Sequence, residues 1–98
     1  MGTYMLLITF HAKPGKGPDY VKALEASGVL DEIRAEAGCL RYDYYIPAKE
    51  SDDLLLVEEW TDKEHQQTHL AQPHMEKVKK LKPDYIVSQD MVICTRNE

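Results

Sequence analysis

Four consecutive large aliphatic residues, Leu54-Leu55-Leu56-Val57, lead directly into Glu58-Glu59-Trp60, behind a polar stretch from Pro47 to Asp53. Successive side chains of a strand point to opposite faces. A strand over 54–60 therefore presents apolar groups on both faces along its first half. Such a strand needs cover above and below, and that requirement limits every fold the chain can adopt.

The remaining elements follow from periodicity and turn residues. Met5 to Ala12 is β-branched and aromatic and ends at Lys13-Pro14-Gly15-Lys16-Gly17, a strand followed by a turn. Pro18 suits a first helical turn and Asp19 complements the helix dipole there. Tyr20, Val21, Leu24, Leu30, Ile33 and Ala37 recur at helical spacing over 18–37. The stripe shifts near Ser27-Gly28, which predicts a kink or short break, and Gly38 is expected to cap the end. From Cys39 to Ile46, Leu40, Tyr42, Tyr44 and Ile46 alternate with Arg41, Asp43 and Tyr45 as a strand. After Trp60, Thr61 and Glu64 have capping-box spacing. Gln72-Pro73 should interrupt the helix that follows. His74, Met75, Val78 and Leu81 continue helically to a stop before Pro83. Tyr85 to Cys94 is a final strand, with a short polar tail over 96–98.

The order is β-α-β-β-α-β in a single domain of 98 residues. Right-handed crossovers and a hairpin between the two middle strands favour a ferredoxin-like α+β fold, its four-stranded antiparallel sheet ordered 4-1-3-2. Cys39 and Cys94 then lie on opposite edges, too far apart for a disulfide, and are expected as free thiols. Two helical layers cannot be drawn from this order, so one sheet face is left bare. Leu55, Val57, Met5 and Leu7 make that face apolar, and a second copy of the chain, related by a two-fold axis, is expected to cover it.

Composition excludes several classes of partner. Twelve basic residues against seventeen acidic ones argue against a nucleic-acid surface. No apolar run reaches the roughly 20 residues of a membrane span, and the N-terminus lacks a signal-peptide pattern, so a cytoplasmic protein is expected. The two cysteines have no metal-type spacing.

The unusual residues gather in one stretch. Residues 58–75 hold the lone tryptophan, three of the four histidines and Pro73. Glu58 and Trp60 share one face of their strand, and Glu59 takes the other. The next helix has little except His65, His69 and Leu70 to turn inward, so a carboxylate, an indole and imidazoles can converge on one pocket. Imidazole titrates near neutrality and suits proton transfer. Tryptophan supplies a flat apolar wall for an aromatic ligand. Blander roles stay open: core packing for Trp60, structural hydrogen bonds for the histidines, an ion pair for Glu58, and sheet packing for Tyr42, Tyr44 and Tyr45. The His65–His69 pair has metal-compatible spacing but no third ligand. No phosphate loop, nucleophile elbow or flavin fingerprint is present.

Three segments carry a resemblance: Glu36-Ala37-Gly38-Cys39, Glu58-Glu59-Trp60, and His65 to Met75 with its H-x-x-x-H-L-x-x-P-H pattern. Together with the Lys13-Pro14-Gly15 turn they span nearly the whole chain. The chain resembles the antibiotic biosynthesis monooxygenase superfamily of dimeric α+β barrels, in particular its small quinol-monooxygenase-type members. The resemblance implies a homodimeric enzyme, free of cofactor and metal, that joins O2 to a quinol, an anthrone or a similar aromatic polyphenol. It implies His69 as leading base, with Glu58 and His65 as further catalytic candidates. Trp60, His74, Tyr42, Tyr44 and Leu70 are the implied substrate contacts. A haem-degrading branch is set aside, because Ile8, His69 and Lys79 stand where its key residues would be. A sugar-phosphate isomerase branch lacks a strong basic cluster, though Lys13, Lys16 and Arg41 are available. Two alternatives are an isomerase or tautomerase of a small carbonyl metabolite using the same pocket, and a non-catalytic ligand-binding stress protein.

Overall fold

A computed structural model describes residues 2–97; Met1 and Glu98, the last residue of the expected tail, lie outside that range. The chain runs β1 (Thr3–Ala12), α1 (Gly17–Ser27), α2 (Val29–Arg34), β2 (Cys39–Tyr45), β3 (Asp53–Trp60), α3 (Lys63–Leu70), α4 (Met75–Tyr85) and β4 (Ile86–Arg96). One antiparallel sheet has the order β2-β3-β1-β4, the ferredoxin-like arrangement expected. Cys39 and Cys94 are free thiols on its opposite edges.

Strand alternation sorts the sheet into two unlike faces. Leu6, Ile8, Phe10 and Ala12 of β1 are buried, and so are Leu54, Leu56, Glu58 and Trp60 of β3. Register pairs these two rows, Ile8 with Leu56 and Leu6 with Glu58, so they form one face, and the helices pack on it. The molecule is only 18 Å through its thinnest dimension, the depth of one sheet and one helical layer. Leu55, Val57 and Glu59 point the other way, beside Met5 and Leu7 of β1. Glu59 is held there by Thr3 Oγ1 at 2.5 Å and by Arg96 at 3.3 Å.

The first helical stretch breaks where the hydrophobic stripe shifts. Tyr20 and Leu24 of α1 are buried. Continued at 3.6 residues per turn, the same face would next present Ser27 or Gly28 and then Asp31. Gly28 adopts φ 80°, ends α1 with its N–H on Glu25 O, and restarts the chain in a new phase that buries Val29, Leu30 and Ile33. The second helix ends at Arg34, earlier than the expected cap at Gly38; Gly38 instead turns the chain into β2, again with φ 80°.

Other details depart from the local reading. A bulge between Cys39 and Arg41 sets Cys39 opposite Trp60 and turns Leu40 outward, and Ile46 falls beyond the strand, so both are exposed. Asp62, not Thr61, caps α3, accepting from His65 N at 2.9 Å. Pro73 separates α3 from α4 as expected, but α4 runs through Pro83 to Tyr85. The amide that proline lacks falls in the last turn, where its loss is tolerated more easily than in a helix interior. The last strand reaches Arg96, leaving Asn97 alone of the described tail.

Gly28 and Gly38 share a left-handed backbone but not their surroundings. A Cβ at Gly28 would meet open space; at Gly38 it would lie 2.7 Å from His65 Cβ and 2.4 Å from Cγ. Rotating the imidazole cannot relieve a clash with the root of its side chain. Gly28→Ala should cost about 1–2 kcal/mol for the backbone alone. Gly38→Ala should cost about 1–3 kcal/mol more for overpacking. Urea unfolding of the two variants measures the difference, and equal losses would contradict the His65 contact.

Candidate active site

Glu36, in the turn after α2, organises the polar groups under the helices. Its Oε2 lies 2.9 Å from His69 Nδ1 and 2.8 Å from His74 Nε2, and its side chain is 8% exposed. A carboxylate oxygen only accepts, so each of these ring nitrogens donates its hydrogen. For a neutral His69 this fixes the tautomer: hydrogen on Nδ1, lone pair on Nε2.

The His69 ring is fully buried and fixed on two further sides. It lies against Trp60 with centroids 4.8 Å apart and meets Tyr42 edge-on at 5.7 Å. Trp60 in turn donates Nε1–H to Glu58 Oε1 at 3.1 Å. Burial raises the Glu58 carboxyl above its ordinary value, with the Trp60 bond and the nearby His69 pulling the other way. Burial also holds the Tyr42 and Tyr44 phenols well above theirs, so both stay neutral donors.

Two adjoining clefts open between the sheet and α3–α4. One, of about 120 Å³, is lined by Glu58, His69, Tyr42, Tyr44, Leu70 and others. The other, of about 290 Å³, shares Ile8, Glu58, Leu70 and Gln89 with it and continues past Leu6 to Met91 and Ile93. A larger groove of about 380 Å³ over α1, α2 and β2 is open and includes only Tyr44 of the candidate residues.

The structure therefore brings Glu58, His69, Tyr42, Tyr44 and Leu70 to one cavity. Trp60 lies behind them, fully buried, as a backing for His69 and Glu58 rather than an exposed wall. The expected inward face of α3 is corrected: Gln66 and His69 are its buried residues. His65 turns aside, its side chain 42% exposed, with Nδ1 2.7 Å from Asp62 because Asp62 caps the helix. His74 faces Glu36 instead of the cavity. Tyr45 is exposed beneath Arg41, and His11 lies partly exposed between Asp53 and Asp90. Cys39 is no nucleophile at neutral pH, since burial, with Glu36 nearby, pushes its thiol up to about 11.

Glu36 is the residue the sequence reading passed over as a site group. An acidic side chain just past a helix C-terminus opposes the helix dipole, and that was the available signal. Tyr20, whose spacing reads as helix core, and Lys82 also line the smaller cleft.

The profile of the antibiotic biosynthesis monooxygenase family matches residues 3–81. No functionally curated protein matches the sequence. Among solved structures, a Pseudomonas aeruginosa protein is 23% identical, with a TM-score of 0.84 over 100% of this chain and 97% of that one. A candidate antibiotic biosynthesis monooxygenase from Bacteroides thetaiotaomicron is 19% identical, with a TM-score of 0.76 over 92% and 85% of the two chains. Another, from Nitrosomonas europaea, is 17% identical, with a TM-score of 0.80 over 93% and 95%. Likeness at these identities establishes the fold.

The raised Glu58 carboxyl makes stability depend on pH. The folded state holds this proton more tightly than the unfolded chain, so stability falls as pH rises from the ordinary value of 4.5 through the folded one. Glu58→Gln keeps an acceptor for Trp60 and removes the charge. It should melt higher than wild type at neutral pH, the gap closing as pH falls to 4.5 and below. Thermal melts across that range measure it. A Gln variant melting lower at neutral pH would mean that the carboxylate is held by an ion pair.

Proposed function

The chain belongs to the antibiotic biosynthesis monooxygenase family, and we propose that it is a cofactor-independent monooxygenase that uses O2 on a quinol, an anthrone or a similar polyphenol. The observation that carries this reading is the Glu36–His69 pair set beside Glu58 in a cavity with tyrosine walls. Glu36 holds the Nδ1 hydrogen, so Nε2 is the nitrogen left to take a proton. The mostly apolar cavity suits an aromatic ring, and its neutral phenols suit a polyphenol's oxygens.

For an anthrone the atoms balance as follows. His69 Nε2 removes a proton from the ring methylene, and the carbanion passes electrons to O2, forming a carbon–oxygen bond. The imidazolium returns its proton to give a hydroperoxide. Loss of the second C–H proton and cleavage of the O–O bond leave a carbonyl and release water. We assign Glu58, whose carboxyl burial raises, to hand a proton to the departing oxygen. A hydroquinone follows the same balance to a hydroxyquinone and water.

We also propose that the chain works as a homodimer. The support is β4, where Val87, Met91, Val92 and Ile93 are 51–69% exposed, next to a sheet face that carries no helix and on which Met5, Leu7 and Leu55 are half-buried. So much adjacent apolar surface favours a second copy over solvent.

With a naphthohydroquinone as substrate, His69→Ala should slow O2 consumption roughly 10²- to 10⁴-fold, the usual worth of a positioned base. An oxygen electrode reads this directly. Equal rates would remove His69 from the chemistry, and turnover without O2 would favour an isomerase. Sedimentation at micromolar concentration should give a dimer; a stable monomer there would contradict the proposed assembly.

A further inference from the structure

The Tyr20 hydroxyl is buried and makes no hydrogen bond of ordinary geometry among the described residues, although the Tyr44 side chain is near enough to act on it. Burial pushes this phenol up to about 12, so it stays a neutral donor. Buried polar groups without partners are uncommon in native proteins, and each costs stability. Packing alone does not call for this hydroxyl: the Tyr20 ring is held edge-on by Phe10 at 6.1 Å and by Tyr44 at 6.2 Å, and lies beside Tyr85 at 5.7 Å. A phenylalanine would keep each of those contacts.

Tyr20 lines the same small cleft as Glu58 and His69. Phe10, on which it packs, pairs with Leu54, four residues before Glu58 on the same face of β3. Four residues at a strand's rise is roughly 13 Å. The cleft thus has a carboxyl–imidazole end and, further along the strand, a phenol end. Lys82 belongs to the second end, its ammonium 5.2 Å from the Phe10 ring and bonded to Gln89. The first end exchanges protons, and the second presents the Tyr20 phenol and the Lys82 ammonium as donors, with the Gln89 amide oxygen already taken by Lys82.

We propose that Tyr20 is a ligand-binding residue whose hydroxyl donates to an acceptor oxygen, carbonyl or phenolate, on the far side of an aromatic ligand from the group facing His69 and Glu58. This rests on the oxygenase reading for the location of the site and narrows its substrate class. Ligands carrying oxygens at both ends of a fused ring system are preferred over those with a single phenol. Tyr20 positions such a ligand and takes no part in moving its protons.

Two bicyclic probes of the same shape separate this from a packing role: a hydroxytetralone, with a phenol at one end and a ketone at the other, and the tetrahydronaphthol lacking the ketone. Trp60 is the lone tryptophan and lies against His69, so its fluorescence reports occupancy. The wild-type protein should bind the ketone roughly five- to tenfold more tightly, the worth of one net hydrogen bond. Tyr20→Phe should abolish that preference, leave the tetrahydronaphthol affinity unchanged, and melt no lower than wild type. Equal loss for both probes, or no loss for either, overturns the proposal, as does a wild type without the preference, the result if the hydroxyl serves only a bound water. A markedly lower melting temperature for Tyr20→Phe would also overturn it, because the hydroxyl would then have a partner within the protein. Binding is read without turnover, so inactivity toward O2 counts against the oxygenase reading and not against this subsite.

Discussion

One carboxylate oxygen, Glu36 Oε2, takes hydrogens from His69 of α3 and from His74 just before α4. Two stretches more than thirty residues apart in sequence meet there, and the site follows from that meeting. His69 is held against Trp60 with the rings tilted by 34°, Trp60 donates to Glu58, and Glu58 lines the cavity. Remove the carboxylate and the buried His69 and half-buried His74 imidazoles lose their partner, a heavier penalty than the loss of a surface hydrogen bond.

This explains how so polar a helix as α3 packs at all. Its inward residues are Gln66 and His69, which bring little hydrophobic driving force. Hydrogen bonds to Glu36 and stacking on Trp60 replace the apolar stripe an ordinary helix would use. The apolar work is done elsewhere, by Tyr20, Leu24, Val29, Leu30 and Ile33 pressed onto Leu54, Leu56, Ile8 and Phe10. The fold thus separates a hydrophobic half under α1 and α2 from a polar half under α3. The cavity lies at their boundary, lined there by Tyr42 and Tyr44 of β2, whose rings meet edge-on.

Much of this was legible in the residues. The two-faced strand at Leu54–Val57, the helix break at Gly28 and the interruption at Pro73 each follow from local rules, and the element order then fixes the sheet. Pairing Glu58 with Trp60 on the helix side needs only the two-residue period. What escaped depends on contacts between distant segments or on competition within a turn. The bulge after Cys39 changes which side Leu40 takes, and no propensity encodes it. Asp62 outcompetes Thr61 as cap and draws His65 to itself, away from the cavity. Glu36 belongs to a turn whose partners lie more than thirty residues on. Tyr20 looked like core because its ring is core; only its hydroxyl is not accounted for.

The central claim is that Glu36 keeps a hydrogen on Nδ1 of His69 so that Nε2 can act as the base. Nitrogen NMR of isotopically labelled protein at neutral pH tests it without any substrate. His69 Nδ1 should carry a hydrogen in the wild-type protein, a preference lost in Glu36→Leu. A His69 resonance showing the hydrogen on Nε2 in the wild-type protein would contradict it.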